Sequence, residues 1–266
     1  MIDFHNHILP NVDDGSKSLE ISLKMLKEAS MQGITDVVNT VHYQHPKVEG
    51  KDISFKRITK EINDLQLKLN KLDIPIKLHS GSEVYFLPNL TDIISDPLVT
   101  LGNGKYMLVE FQSFFLPRNY KEEFFKLKME GVTPILAHPE RYKPIQKNID
   151  IIYDFLNMGC LIQVDGGSIL GTLGKSAQVA SEKIIKNKWC QFIGSDAHDL
   201  NKRNFNLKYA LDFISKWVDE KYIKSLVFDN PQKVLDGEPI FIEFDDYKRV
   251  SKREIINKLF NFRNSK

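Results

Sequence analysis

His5 and His7 are separated by a single residue, and on an extended chain side chains two apart share a face, so both imidazoles can turn toward one ligand. A lone His-x-His pair recurs by chance. Here it has a counterpart in Asp196-Ala197-His198, which has the same spacing behind Gly194-Ser195 and lies far along the chain. His42, Glu83, Glu110 and His138 add further nitrogen and oxygen donors, each at or just beyond the end of a strand-like run. Satisfied core histidines and surface acids would be scattered over helices and loops as well. A mixed His, Asp and Glu set without thiolate suits hard to borderline divalent ions such as Mn²⁺, Fe²⁺ or Zn²⁺, and its size implies more than one ion.

Such donors come from distant parts of the chain, so the fold must gather them. Short β-branched runs at Ile2 to His5, Ile34 to Val41, Ile76 to His79, Tyr106 to Phe111, Thr133 to Ala137, Leu161 to Val164 and Gln191 to Gly194 read as strands. Between them, Leu19 to Gln32, Ile53 to Leu72, Lys121 to Glu130 and Ile149 to Met158 carry helical periodicity, and glycines stop several of these segments. This alternation predicts a parallel α/β sheet with right-handed crossovers. An open sheet concentrates its ligands at one switch point, whereas a barrel brings every carboxyl strand end to a common rim. Donors at nearly every strand end therefore predict a seven-stranded (β/α) barrel in which the first and last strands are neighbours.

The 266 residues are 42% hydrophobic and 27% charged, as expected of a soluble globular chain. The 37 basic and 35 acidic residues leave a net charge of +2, which calls for no nucleic-acid partner. The basic excess lies in residues 247–266, where seven Lys and Arg face Glu254 alone. Residues 1–246 are expected to form the barrel, and the remainder a basic tail. Ser251 and Glu254 have capping-box spacing ahead of Ile255, Ile256, Leu259 and Phe260, so the tail reads as a helix suited to the barrel surface, an anionic membrane or an acidic partner. The amino terminus lacks a basic segment followed by an apolar run, and no stretch is long enough for a membrane span, so a cytoplasmic protein is expected.

The two cysteines form no CxxC pair, and neither is followed six residues later by arginine, so the phosphate loop of cysteine-dependent phosphatases is absent. The segment from Gly166 to Ser176 fails as a nucleotide-binding P-loop because Ile169 stands where the first glycine is required; it reads as a flexible connection. His42 fits its strand end better than His45, His79 reads as a barrel-wall residue, and Asp165 lies at rim level without an assigned ligand role. Phe114, Phe115, Leu116 and Tyr120 follow Glu110 and could wall a pocket for a phenyl ring or simply pack as a loop.

Taken in order, His5-Asn6-His7, Asp13-Asp14-Gly15, Gly81-Ser82-Glu83, Val109-Glu110-Phe111, Ala137-His138-Pro139-Glu140-Arg141 and Gly194-Ser195-Asp196-Ala197-His198 resemble the PHP (polymerase and histidinol phosphatase) superfamily. Within it they are most similar to the metal-dependent tyrosine-protein phosphatases of bacterial capsule and exopolysaccharide loci, over Met1 to about Pro231. The resemblance implies a distorted (β/α)₇ barrel with up to three divalent ions, manganese foremost and Fe²⁺, Zn²⁺, Co²⁺ or Mg²⁺ as alternatives. It implies one ion held by His5, His7, Glu83 and Asp196; a second bridged by Glu83 and completed by Glu110 and His138; and a third held by Asp14, His42 and His198. Arg141 and Arg203 are implied to bind phosphate, with His42 and His198 also at the reacting centre. Carboxylates at Asp14 and Glu110, where sugar-type and histidinol-type relatives often have histidine, favour the tyrosine phosphatase branch.

Three divalent ions, four carboxylates and one bridging hydroxide would leave a single net positive charge, suited to a phosphomonoester dianion. The implied substrate is a phosphotyrosine protein, specifically a membrane-associated bacterial tyrosine kinase. A small-molecule phosphatase and a non-catalytic metal-stabilised kinase regulator are the alternatives; an amidohydrolase would need a bridging lysine where Glu83 stands.

Overall fold

In the computed structural model, which describes residues 1–242, seven parallel strands pair in chain order. The chain runs β1 (Ile2–Asn6), α1 (Leu19–Met31), β2 (Asp36–Tyr43), α2 (Phe55–Lys71), β3 (Lys77–Tyr85), β4 (Tyr106–Glu110), α3 (Tyr120–Met129) and β5 (Thr133–Ala137). It continues through α4 (Lys143–Lys147), α5 (Ile151–Asn157), β6 (Leu161–Asp165), α6 (Gly166–Leu170), α7 (Lys175–Lys186), β7 (Phe192–Gly194), α8 (Leu207–Ile214), α9 (Glu220–Lys224) and α10 (Asn230–Asp236). The ring closes just past β7, where the His7 amide donates to the Ala197 carbonyl at 2.8 Å and the Asp196 amide to the His5 carbonyl at 2.7 Å. The first and last strands are thus neighbours, as the barrel reading requires.

Local sequence accounts for the longer helices. Ser18 caps α1 by accepting from the Ile21 amide, and Ser22, Met25, Leu26 and Ala29 form its buried stripe. Ser54 caps α2 in the same way, and Ile58, Ile62, Leu65 and Leu69 face inward as their spacing predicts. One apolar cluster joins Ile2, Phe4, Val38, Leu108, Ile135, Leu161 and Phe192. These residues lie on strands spread around the ring, and only the barrel interior can bring them together. The larger cluster packs the helices against the outer faces of the strands.

Three expectations need correction. The third strand extends to Tyr85, so Glu83 lies within it rather than beyond it. Gly166 to Leu170 is a buried helical turn, capped by Asp165 accepting from the Gly167 amide, not a flexible connection. Tyr120 is buried, with its ring 4.7 Å from that of Phe155, so it walls no pocket. The basic tail and its capping box lie outside the described residues. Among the described residues no helix is long and apolar enough to cross a membrane.

Candidate metal centre

Strand register brings the donors to one level. β2 pairs with β3 so that His42 stands opposite Glu83, and β3 pairs with β4 so that Tyr85 stands opposite Glu110. Alignment of Ala137 with Gln163 and of Asp165 with Gly194 continues that level around the rim. His138 and Asp196 lie one or two residues past their strands with φ of 33° and 49°, in the left-handed region that non-glycine residues rarely occupy. Each such conformation costs on the order of 1–3 kcal/mol, a local strain offset by the surrounding fold. Close packing also requires two glycines. A Cβ at Gly15 would meet the His7 carbonyl oxygen at 2.1 Å, and one at Gly194 would meet the His5 Cβ at 2.7 Å.

The nine expected donors, His5, His7, Asp14, His42, Glu83, Glu110, His138, Asp196 and His198, converge. His5 Nε2 lies 3.3 Å from Glu83 Oε2 and 3.4 Å from Asp196 Oδ1, and His7 Nε2 lies 3.4 Å from each of these oxygens. Around an ion bound at about 2.1 Å, adjacent ligand atoms are about 3.0 Å apart in an octahedron and about 3.4 Å in a tetrahedron. Asp14 Oδ1 lies 3.1 Å from His42 Nε2 and 3.3 Å from His198 Nε2. His138 Nε2 lies 2.6 Å from Glu83 Oε1. Glu110 Oε1 lies 3.0 Å from His42 Nδ1 and 3.6 Å from His45 Nε2, which gathers His45 into the cluster although its sequence offset had set it aside.

The donor atoms fit cations. Asp14 Oδ1, Glu110 Oε1, Asp196 Oδ1 and His198 Nε2 are buried without a hydrogen-bond partner, an arrangement that is costly unless an ion fills it. Outer contacts fix the imidazole tautomers. Nδ1 of His5 donates to Gln163 Oε1 at 2.9 Å, Nδ1 of His7 to Asp13 Oδ2 at 2.7 Å, and Nδ1 of His198 to the Asp196 carbonyl at 2.8 Å. In the neutral ring each bond leaves Nε2 with its lone pair facing the cluster.

Electrostatics follow from this crowding. Burial pushes His138 and His198 down to about 4, keeping both neutral at neutral pH. Burial would also lower His7, but Asp13 overrides it and raises His7 to about 10. Burial opposes ionisation of Asp196, yet Arg203 and the histidines His5 and His198 hold it well below the carboxylate range. Glu110 is raised, by burial and then by Glu83.

Arg141 and Arg203 both close on Asp196. Arg141 Nη1 lies 2.5 Å from Asp196 Oδ2 and 3.5 Å from Asp165 Oδ2, and Arg203 Nη2 pairs with the same Asp196 oxygen. Arg203 is therefore drawn into the cluster despite its unremarkable Lys-Arg setting. Sequence reasoning assigned no role to Asp13, Gln163 or Lys47. Asp13 had a signal, the doubled acid before Gly15. Gln163 is the one polar residue of the run Leu161 to Val164. Lys47, whose ammonium lies 2.7 Å from Asp14 Oδ2 and 3.2 Å from His42 Nε2, had none. His79 sits near the start of β3, paired with Asp36 at 2.9 Å, away from the rim.

Comparison with known proteins agrees with this picture. A family model for capsular polysaccharide synthesis, CpsB/CapC, matches residues 1–236. CapC of Staphylococcus aureus is 34% identical over 216 residues, spanning 78% of this chain and 81% of that protein. Tyrosine-protein phosphatase YwqE of Bacillus subtilis is 30% identical over 242 residues, 91% of this chain and 94% of its own. Crystal structures of YwqE and of CpsB from Streptococcus pneumoniae, described as metal-dependent tyrosine phosphatases, include a chain that superposes with a TM-score of 0.86 at 29% identity, covering 91% of this chain and 97% of that one. A phosphotriesterase homology protein from Escherichia coli shares the fold, with a TM-score of 0.59 at 9% identity.

Proposed function

Because the chain belongs to the CpsB/CapC family of capsular polysaccharide synthesis, we propose that it is a metal-dependent phosphatase that hydrolyses phosphotyrosine on proteins. The observation that carries this reading is the convergence of unpartnered buried donors beside two arginines. His5, His7, Glu83 and Asp196 would hold one ion, with Glu83 shared toward His138, Glu110 and a second; Asp14, His42 and His198 would hold a third. Bound divalent ions would supply an acidified water and Lewis-acid polarisation of the phosphoryl oxygens. Manganese heads the list, ahead of Fe²⁺, Zn²⁺, Co²⁺ and Mg²⁺.

The chain's own residues do the rest. Asp13 and Gln163 hold the imidazoles of His7 and His5 in their binding tautomers. Arg141 and Arg203, already at the edge of the cluster, present guanidinium forks to the phosphoryl oxygens. A tyrosinate leaves with a pKa near 10, so its departure needs less protonation than an alkoxide would.

The physiological substrate in this reading is the phosphotyrosine of a membrane-associated kinase that controls polysaccharide export. The protein would be cytoplasmic, and the net charge of residues 247–266 would favour contact with the inner membrane face. The test compares hydrolysis of a phosphotyrosine peptide, histidinol phosphate and p-nitrophenyl phosphate by chelated protein before and after Mn²⁺ is added. Metal-restored turnover that favours the peptide supports the proposal. Preference for histidinol phosphate would point to a small-molecule phosphatase, and no turnover on any substrate would leave a non-catalytic regulator.

A further inference from the structure

The loop between β4 and α3 is anchored at both ends and bare in the middle. Phe111 and Tyr120 are buried at its two ends, in one aromatic cluster with Phe124 and Phe155. Between them Phe114 is 71% exposed and Phe115 is 57% exposed. Burying a phenylalanine stabilises a fold, so two adjacent rings left in water are a cost that the core does not recover.

The loop's position suggests what offsets that cost. It begins directly after Glu110, and the Ser113 carbonyl accepts from the Lys143 amide at 2.7 Å. The Phe111 amide donates to the Tyr142 hydroxyl at 2.9 Å. These two bonds tie the backbone of the loop to the two residues that follow Arg141, whose guanidinium meets Asp196. On the other side, the Phe86 amide donates to the Glu110 carbonyl at 2.9 Å, so Leu87, the next residue and 39% exposed, follows from the same strand end.

We propose that Phe114 and Phe115, with Leu87, form the recognition wall of the metal centre, taking the phenyl ring of phosphotyrosine and the peptide residue next to it. This rests on the phosphatase reading and adds where the protein part of the substrate lies. The loop that carries the wall starts at a candidate ligand, Glu110, and is bonded to the residues that follow Arg141. It also extends outside the donor cluster, where a small phosphate ester would leave it uncovered. A tyrosine phosphoester in a chain offers both a ring and flanking apolar surface, matching the two exposed phenylalanines.

The test uses metal-loaded full-length protein and the double variant Phe114→Ala/Phe115→Ala, with metal content, thermal midpoint and oligomeric state measured for both. Substrates are a phosphotyrosine peptide, p-nitrophenyl phosphate and glycerol 2-phosphate. The expected loss of kcat/KM is roughly tenfold or more on the peptide, carried mainly by KM, smaller on p-nitrophenyl phosphate and least on the alkyl ester. Phe114→Leu/Phe115→Leu should recover part of the peptide loss. Equal losses on all three substrates would assign the loop a structural role and overturn the proposal. So would unchanged peptide kinetics, or a changed oligomeric state with unchanged peptide kinetics. Absence of peptide hydrolysis in the unsubstituted enzyme would instead overturn the phosphotyrosine reading, and the wall with it.

Discussion

Arg141 Nη1 lies 2.5 Å from Asp196 Oδ2, while the other oxygen of that carboxylate, Oδ1, faces His5 and His7 at 3.4 Å. One carboxylate thus joins the donor cluster to the proposed phosphate-binding edge, and Arg203 holds the same outer oxygen. Asp196→Ala should lose metal from at least one site and nearly all turnover. Arg141→Ala should keep its metal, because Arg203 still positions Asp196. Its transition-state stabilisation, read from kcat/KM, should fall by roughly 2–3 kcal/mol, the value of a desolvated charge-assisted contact. Elemental analysis alongside steady-state kinetics separates the two effects, and unaltered kinetics in Arg141→Ala would remove it from the site.

Asp13 touches no proposed ion, yet its Oδ2 accepts from His7 Nδ1 and from the His42 amide at 3.1 Å. Asp13→Asn keeps the size and removes the charge that fixes the His7 tautomer. Metal affinity should fall by roughly 10–100-fold, as is typical when such outer partners are lost. Competition against a graded chelator measures this directly, and an unchanged affinity would make Asp13 a loop-forming residue only, acting through its bond to the Gly15 amide.

The barrel, its strand count and the donor level were legible because metal ligands are polar residues at strand ends, where a one-sequence reading expects apolar or turn residues. His42 and Glu83 announced themselves in this way. The outer contacts were not legible. Gln163 reaches His5 across 158 positions of sequence, and no local pattern encodes such a pairing. Arg203 was expected at the site by resemblance alone, because its Lys202-Arg203 setting is that of a surface pair; the turn after β7 aims it at Asp196. Tyr120 misled in the opposite direction. Its proximity to Phe114 suggested a shared role, but α3 begins at that residue and turns the ring into the core.

Glu140 lies in the same loop as Arg141 and is fully buried, with Oε1 accepting from the Asp165 amide at 3.1 Å and Oε2 unpartnered. Burial, and then the nearby Asp165, raise its carboxyl to about 8 from an ordinary 4.5. The folded protein therefore retains a proton that the unfolded chain has released. Its stabilising effect is complete below pH 4.5 and is lost as pH rises through 8. Glu140→Gln keeps a neutral hydrogen-bonding group at every pH. The unsubstituted protein should lose thermal midpoint relative to this variant between pH 5 and 9, by an amount reflecting a few kcal/mol. Parallel melting curves across that range would show that Glu140 is ionised in the fold.

Metal loading should expel protons. In the metal-free site His7 is raised to about 10, with Asp13 overcoming the effect of burial, and His42 is raised as well by its carboxylate neighbours Asp14, Glu110 and Glu83. Both imidazoles are therefore charged at neutral pH, and each must give up a proton before a nitrogen lone pair can bind an ion. For the metal-free protein, the stability contributed by the His7 imidazolium is full below about 6.5 and lost as pH rises through about 10. The metal-loaded form has no such dependence on that group. Two consequences share this sign: Mn²⁺ affinity should increase from pH 6.5 to 8, and the thermal midpoint gained on loading should increase with it. Calorimetric titration of chelated protein with Mn²⁺ in buffers of differing ionisation enthalpy counts the protons. About one to two should appear per protein, and a buffer-independent heat would show that the imidazoles are already neutral when the ions arrive.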